Sequence, residues 1–188
     1  MGAVEIGDRV DRDYAEAVRT AAFSFPNPVN EKAARVVAAG VAASAALTLA
    51  TGWLWLAPVI ALGFLARVAA GPRFSVLGRL ATQVIAPRLG PAKLVPGPPK
   101  RFAQAVGLTL TAVASVLGLA LGWTGVATAL VGVLLVFALL ESVVGFCAGC
   151  WVFGHLMRWG VIPPDVCAAC NDLSLRARPP AALVDVGA

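Results

Sequence analysis

Four long runs of apolar residues limit the folds open to this chain more than any other feature of its sequence. They cover residues 33–51, 53–70, 102–121 and 123–141, and an α-helix needs about 20 apolar residues to cross a bilayer. Charged residues make up only 13% of the chain, whereas about 25% is usual for a soluble domain. The sequence therefore predicts an all-α, polytopic membrane protein that contains a four-transmembrane-helix bundle.

The connection between the second and third runs has a different composition. Residues 71–101 carry six lysines and arginines and no acidic residue. Within it, apolar and polar residues are expected on opposite helical faces: Phe74, Leu77, Ala81, Val84 and Ile85 against Ser75, Arg79, Thr82 and Gln83. This pattern predicts an interfacial amphipathic helix between helices 2 and 3.

The positions of the positive charges predict the orientation of the chain. The short turns at 51–52 and 122–125 carry no lysine or arginine, so the positive-inside rule places both termini and the long connection in the cytoplasm. We expect a cytoplasmic arm over 1–30, a membrane domain over 31–159 and a cytoplasmic tail over 160–188, in a bacterial inner membrane. The predicted partner is the lipid bilayer. Small residues at helical spacing leave a homo-oligomer open, and no aromatic-basic interleaving suggests nucleic acid.

All four cysteines lie in two C-x-x-C pairs near the end of the chain. Cys147 and Cys150 form the first pair and Cys167 and Cys170 the second. The spacing is typical of a four-cysteine metal site, and four thiolates suit structural zinc or an iron–sulfur cluster. The first hypothesis is therefore a cytoplasmic metal site with a structural or partner-recruiting role and no catalysis.

The second hypothesis is a membrane-bound dithiol relay. C-x-x-C pairs exchange electrons, here with a soluble thioredoxin-like or rhodanese-like partner in thiol–disulfide or sulfur transfer. Helix four decides whether a thiolate is favoured. If it continues past Cys150, the helix dipole disfavours a thiolate; a break at Gly145 would instead place Cys147 at a helix start, where the dipole favours one. Inert cysteine packing and a small transporter subunit are further alternatives, and the sequence favours a protein that is not an enzyme.

Three other polar residues are candidates for a role. Glu141 is the acidic residue within an apparent spanning helix, and such residues are functional candidates by default. Arg67 lies at a similar depth on helix two, so we expect a Glu141–Arg67 ion pair. His155 lies between the two cysteine pairs; it could act as a substitute ligand or proton acceptor, and a simple polar contact is the plainer interpretation.

Four short segments carry a resemblance to a known family. They are Gly71-Pro-Arg73, Ala86-Pro-Arg-Leu-Gly-Pro91, Pro99-Lys-Arg-Phe-Ala-Gln-Ala-Val-Gly107 and Gly145-Phe-Cys147-Ala-Gly-Cys150. With them the chain resembles an uncharacterised bacterial integral-membrane family, domain of unknown function 4395. The resemblance implies a four-helix membrane protein and supplies no reaction. The second cysteine pair lies outside the matching segments.

Overall fold

The computed structural model describes residues 25–167, most of which are helical. Strand β1 (Val29–Asn30) leads into α1 (Glu31–Thr51), and α2 (Leu56–Ala70) returns beside it. The connection then forms 3-10 turns at Gly71–Arg73 and Ala86–Leu89, on either side of α3 (Val76–Arg79) and a π-helical segment, Leu80–Ile85. Strand β2 (Leu94–Val95) pairs antiparallel with β1.

The second half of the described chain contains three more helices. Helix α4 (Gly97–Ser115) continues as a π-helical segment, Val116–Ala120. Helix α5 (Thr124–Leu139) also ends in a π-helical segment, Leu140–Val144, and α6 (Ala148–Arg158) follows after a break. A last 3-10 turn covers Pro164–Cys167. The predicted arm at 1–30 and tail at 160–188 lie largely outside the described residues.

Four helical stretches are long and apolar enough to cross a membrane: Glu31–Thr51, Leu56–Leu89, Gly97–Ala120 and Thr124–Val144. This confirms, by length and composition, the four helices expected from the apolar runs. Their outward faces carry large apolar side chains, such as Leu62 at 65% exposure and Val116 at 57%.

The core of the bundle is formed where small residues allow the helices to approach. Ala45, Ala114 and Ala127 are almost completely buried between α1, α4 and α5. A side chain could not replace the hydrogen of Gly107, because a Cβ there would overlap the ring of Phe64. Small residues therefore allow the helices to pack closely around the larger core side chains.

The two ends of the bundle differ in charge. Residues 52–55 and 121–123 form the turns at one end, and they carry exposed tryptophans and no charge. The start of α1, the end of α2, the start of α4 and all of α6 lie at the other end, together with the basic connection. The cysteine pair of α6 is therefore at the charged end.

The predicted apolar face of the connection is divided between the bundle and the outer surface. Ala81 is fully buried, whereas Phe74 is 60% exposed and Val84 39%, and Ser75 of the predicted polar face is buried at 5% exposure. Two close approaches explain the difference: a Cβ on Gly78 would lie 2.8 Å from the backbone of Pro72, and one on Gly40 of α1 would lie 2.6 Å from the Leu77 side chain. Because small residues must face the bundle here, several large apolar side chains point outward.

Candidate dithiol site

The site begins at a helix break. The fourth long helix ends at Val144 and does not continue towards Trp159, because Gly145 adopts a left-handed conformation with φ of 78°. The Arg35 guanidinium of α1 donates hydrogen bonds to the carbonyls of Ser142 (3.4 Å) and Val143 (2.8 Å). These carbonyls have no partner further along the helix, so Arg35 stabilises the end at this position.

Cys147 is the N-cap of the new helix, α6. Its backbone is extended, with φ of −96° and ψ of 102°, and its Sγ accepts a hydrogen bond from the backbone N–H of Cys150 at 3.4 Å. The Cys150 thiol donates a second hydrogen bond to the same sulfur. Both cysteines are free thiols. The arrangement brings two sulfur atoms within reach of a disulfide at the positive end of a helix dipole.

An ion pair lies next to the two thiols. Lys100 in the first turn of α4 donates to Glu141 at 2.6 Å, and their side chains are only 10% and 15% exposed. The expected Glu141–Arg67 pair is therefore wrong. Arg67 instead donates to Gln104 at 2.7 Å and to Ser75 at 3.2 Å, since the packing of α2 on α4 turns it towards these neutral groups.

The two thiols have opposite acidities. The hydrogen bond from Cys150 is the largest cause that lowers the pKa of Cys147 below its ordinary value, and the nearby Lys100 charge adds to it; burial and the Glu141 charge oppose it. The same hydrogen bond is the largest cause that raises the pKa of Cys150, followed by burial. Cys147 is thus the more acidic of the two thiols, and Cys150 is the thiol that donates to it.

Both cysteines line a cleft that opens to the outside of the protein. Cys147 and Cys150 line a cleft of about 630 Å³ between α4, α6 and the segment around β2. Three basic residues, Lys93, Lys100 and Arg158, line the same cleft. Lys93 also forms an ion pair with Glu31 at 2.7 Å. The cleft gives a partner's sulfur access to the pair and offers a positive rim.

The second cysteine pair is only partly described. Cys167 is buried at 4% exposure and is disulfide-bonded, and Cys170 lies outside the described residues. Within 25–167, no group of three or more histidine, cysteine, aspartate or glutamate side chains could hold a metal. The site shared by all four cysteines therefore stays a prediction.

His155 interacts with the tryptophans of its own helix. Its Nδ1 lies 3.0 Å from the Trp151 carbonyl oxygen, and its ring centroid is 4.1 Å from that of Trp151 and 6.1 Å from that of Trp159. These are the local polar and ring contacts of a helix surface. His155 is not among the residues that line the cysteine cleft.

Lys100 is the site residue that the sequence did not reveal. The sequence places it beside Pro98 and Pro99 at the end of a basic connection, where a solvated charge is the usual interpretation. Only the packing of α4 against α5 and α6 brings it to Glu141 and the thiols. The one signal in the sequence that pointed to such a cation was Glu141, because an acidic residue in an apolar helix requires a positive charge nearby.

These features define a class of protein: a multi-helix chain, with four helices of membrane-spanning length, that carries a free dithiol at the start of a short helix. The family described as "Domain of unknown function (DUF4395)" matches residues 29–158. The chain belongs to this family, as its sequence motifs indicated. No curated protein and no solved structure matches the chain.

Proposed function

We propose that this protein is a membrane-bound dithiol that exchanges electrons with a soluble thioredoxin-like partner through Cys147 and Cys150. One observation carries the proposal: the Cys147 sulfur caps a helix and accepts hydrogen bonds from both the N–H and the thiol of Cys150. A thiolate with a thiol beside it is the arrangement that thiol–disulfide exchange requires.

The proposed exchange proceeds in two steps. The Cys147 thiolate attacks a disulfide of the partner, so that a Cys147–partner bond forms while the partner's S–S bond breaks and releases a thiolate. Cys150 then gives up its proton, attacks the Cys147 sulfur and closes the Cys147–Cys150 disulfide, which releases the second partner thiolate. Two electrons thereby pass to the partner, whose two thiolates take up the Cys150 proton and a second proton from solvent, and the reverse sequence oxidises a partner dithiol.

We further propose that the bundle spans a bacterial inner membrane, with both termini and the dithiol in the cytoplasm. Four apolar helices support insertion, and tryptophans at both ends, among them Trp53, Trp123 and Trp159, are exposed as in an interfacial aromatic belt. The charged end carries the lysines and arginines, which favours the cytoplasmic side. The connection would lie in the interface plane, with Phe74 and Val76 directed towards lipid.

The disulfide at Cys167 supports the dithiol over the metal hypothesis. Cys167 is disulfide-bonded, and a metal ligand must be a thiolate. Zinc or an iron–sulfur cluster held by all four cysteines is the competing function, and metal analysis separates the two.

A mixed-disulfide trap tests the proposal. Cys150→Ala removes the resolving thiol, so the full-length variant in detergent should accumulate a disulfide between Cys147 and a single-cysteine thioredoxin whose cysteine is activated as a thionitrobenzoate mixed disulfide, from which attack by Cys147 releases thionitrobenzoate. Cys147→Ala is the matched control and should accumulate much less, because the remaining Cys150 does not cap α6 and burial still raises the pKa of its thiol. Equal trapping by both variants, or by neither, would overturn the proposed roles.

A further inference from the structure

Cys147 also lines a second cavity. It has a volume of about 240 Å³, extends into the helix bundle and is lined mainly by apolar side chains, with Phe64, Phe102 and Phe137 among them. Cys147 and Glu141 also line it. Since Cys147 also lines the open cleft, this one residue forms part of the wall of both spaces.

The apolar cavity reaches the outer surface of the bundle. Phe137 of α5 and Val152 of α6 line it, and their side chains are 40% and 39% exposed. Phe137 belongs to a helix of membrane-spanning length and composition, and Val152 belongs to the short helix that follows it. A molecule dissolved in the bilayer would therefore meet the mouth of the cavity without passing through water.

A dithiol at this position needs an acceptor that takes two electrons and two protons. We infer that the cavity binds a lipid-soluble quinone, which oxidises the Cys147–Cys150 pair after a soluble partner has reduced it. This inference rests on the proposed function of the pair. In the reaction both S–H bonds break and one S–S bond forms, while the two electrons and two protons convert the quinone's carbonyl oxygens to the hydroxyls of a quinol.

The size and chemistry of the cavity suit a quinone ring. An apolar cavity of about 150 Å³ holds benzene, so 240 Å³ has space for one substituted ring with its tail leaving towards lipid. Gln104 lines the cavity as well, and its Oε1 is already occupied by Arg67. Its amide N–H groups are thus the donors that it can offer to a quinone oxygen.

The test uses full-length reduced protein in detergent and decylubiquinone, whose fully substituted ring cannot add a thiol at a ring carbon. Quinol formation is followed by absorbance and the loss of thiols by labelling. We expect one quinol for each Cys147–Cys150 disulfide formed, and no quinol from Cys147→Ala. Val106 lines the cavity on α4, so Val106→Trp should slow quinol formation about tenfold or more by blocking the ring.

Val113→Trp is the matched control, since Val113 lies two turns further along the same helix, 42% exposed and outside the cavity. It should reduce the quinone at the wild-type rate. All variants are also oxidised with glutathione disulfide, which reports on folding and on the dithiol itself. Wild-type pairs that react with glutathione disulfide but never with the quinone would overturn this inference and leave the proposed function standing. Wild-type pairs that react with neither glutathione disulfide nor the quinone would overturn the proposed function, and the inference about the quinone with it.

Discussion

The hydrogen bond between the two thiols should control the reactivity of Cys147. Cys150→Ala removes the S–H donor and leaves the Cys150 backbone N–H in place, so one of the two hydrogen bonds to the Cys147 sulfur is lost. A hydrogen bond to a charged group contributes about 1.5–3 kcal/mol. At a fixed pH below the Cys147 pKa, the ratio of thiolate to thiol should therefore fall roughly 10- to 100-fold.

The assay is the pH dependence of alkylation by iodoacetamide, with thiolate absorbance as a second signal. The folded pKa of Cys147 is lowered, so its reactivity should rise below the pH at which an ordinary thiol reacts. In Cys150→Ala the rise should move to higher pH. Cys150→Ser keeps an O–H donor and should lie between the two. Identical pH profiles for wild type and Cys150→Ala would refute the claim that the Cys150 thiol stabilises the Cys147 thiolate.

Three further predictions concern packing, charge and metal. Gly149→Ala should weaken the packing of α6 on α4 and lower the stability measured by chemical unfolding, because the added Cβ would lie 2.7 Å from the Ala103 Cα. Gly154→Ala on the same helix is the control: its Cβ would meet nothing within 4 Å, so this variant should be as stable as the wild type or more stable. Lys100→Met should lower the free energy of unfolding by about 3–5 kcal/mol, because it leaves the buried Glu141 carboxylate unpaired. Adding Glu141→Leu to Lys100→Met should recover most of that loss. Equal stability of the single and the double variant would contradict the ion-pair assignment. Elemental analysis of full-length protein should find well below one zinc or iron atom per chain, and chelator should leave the fold and the thiol reactivity unchanged.

The helices followed from the sequence because each long apolar run must satisfy its own backbone hydrogen bonds. The end of the fourth helix was harder to place. Residues 141–159 are apolar enough to continue a helix, and the break depends on a left-handed Gly145 together with a guanidinium from α1, more than 100 residues away in sequence. The sequence around the break contains Gly145 but not the distant Arg35. The sequence therefore offered two positions for Cys147 and could not choose between them.

The ion pair shows a second limit of sequence reasoning. Glu141 was recognised as a candidate because an acid is costly in an apolar helix, and a nearby cation was expected. Arg67 and Lys100 are both basic residues near the same end of the bundle. The choice between them depends on how α4 rotates against α5, which brings Lys100 to the carboxylate and Arg67 to Gln104. Helical periodicity does not specify that rotation.

The proposed function depends most on Cys147 and Cys150 acting as one two-electron couple. The direct measurement is a redox titration of the full-length protein in thiol–disulfide buffers, read by mass spectrometry of the peptide that contains both residues. We expect a single reversible transition in which this peptide loses two hydrogen atoms and both thiols disappear together. Thiols that stay reduced across the whole titration, or that become protected only when metal is added, would contradict it.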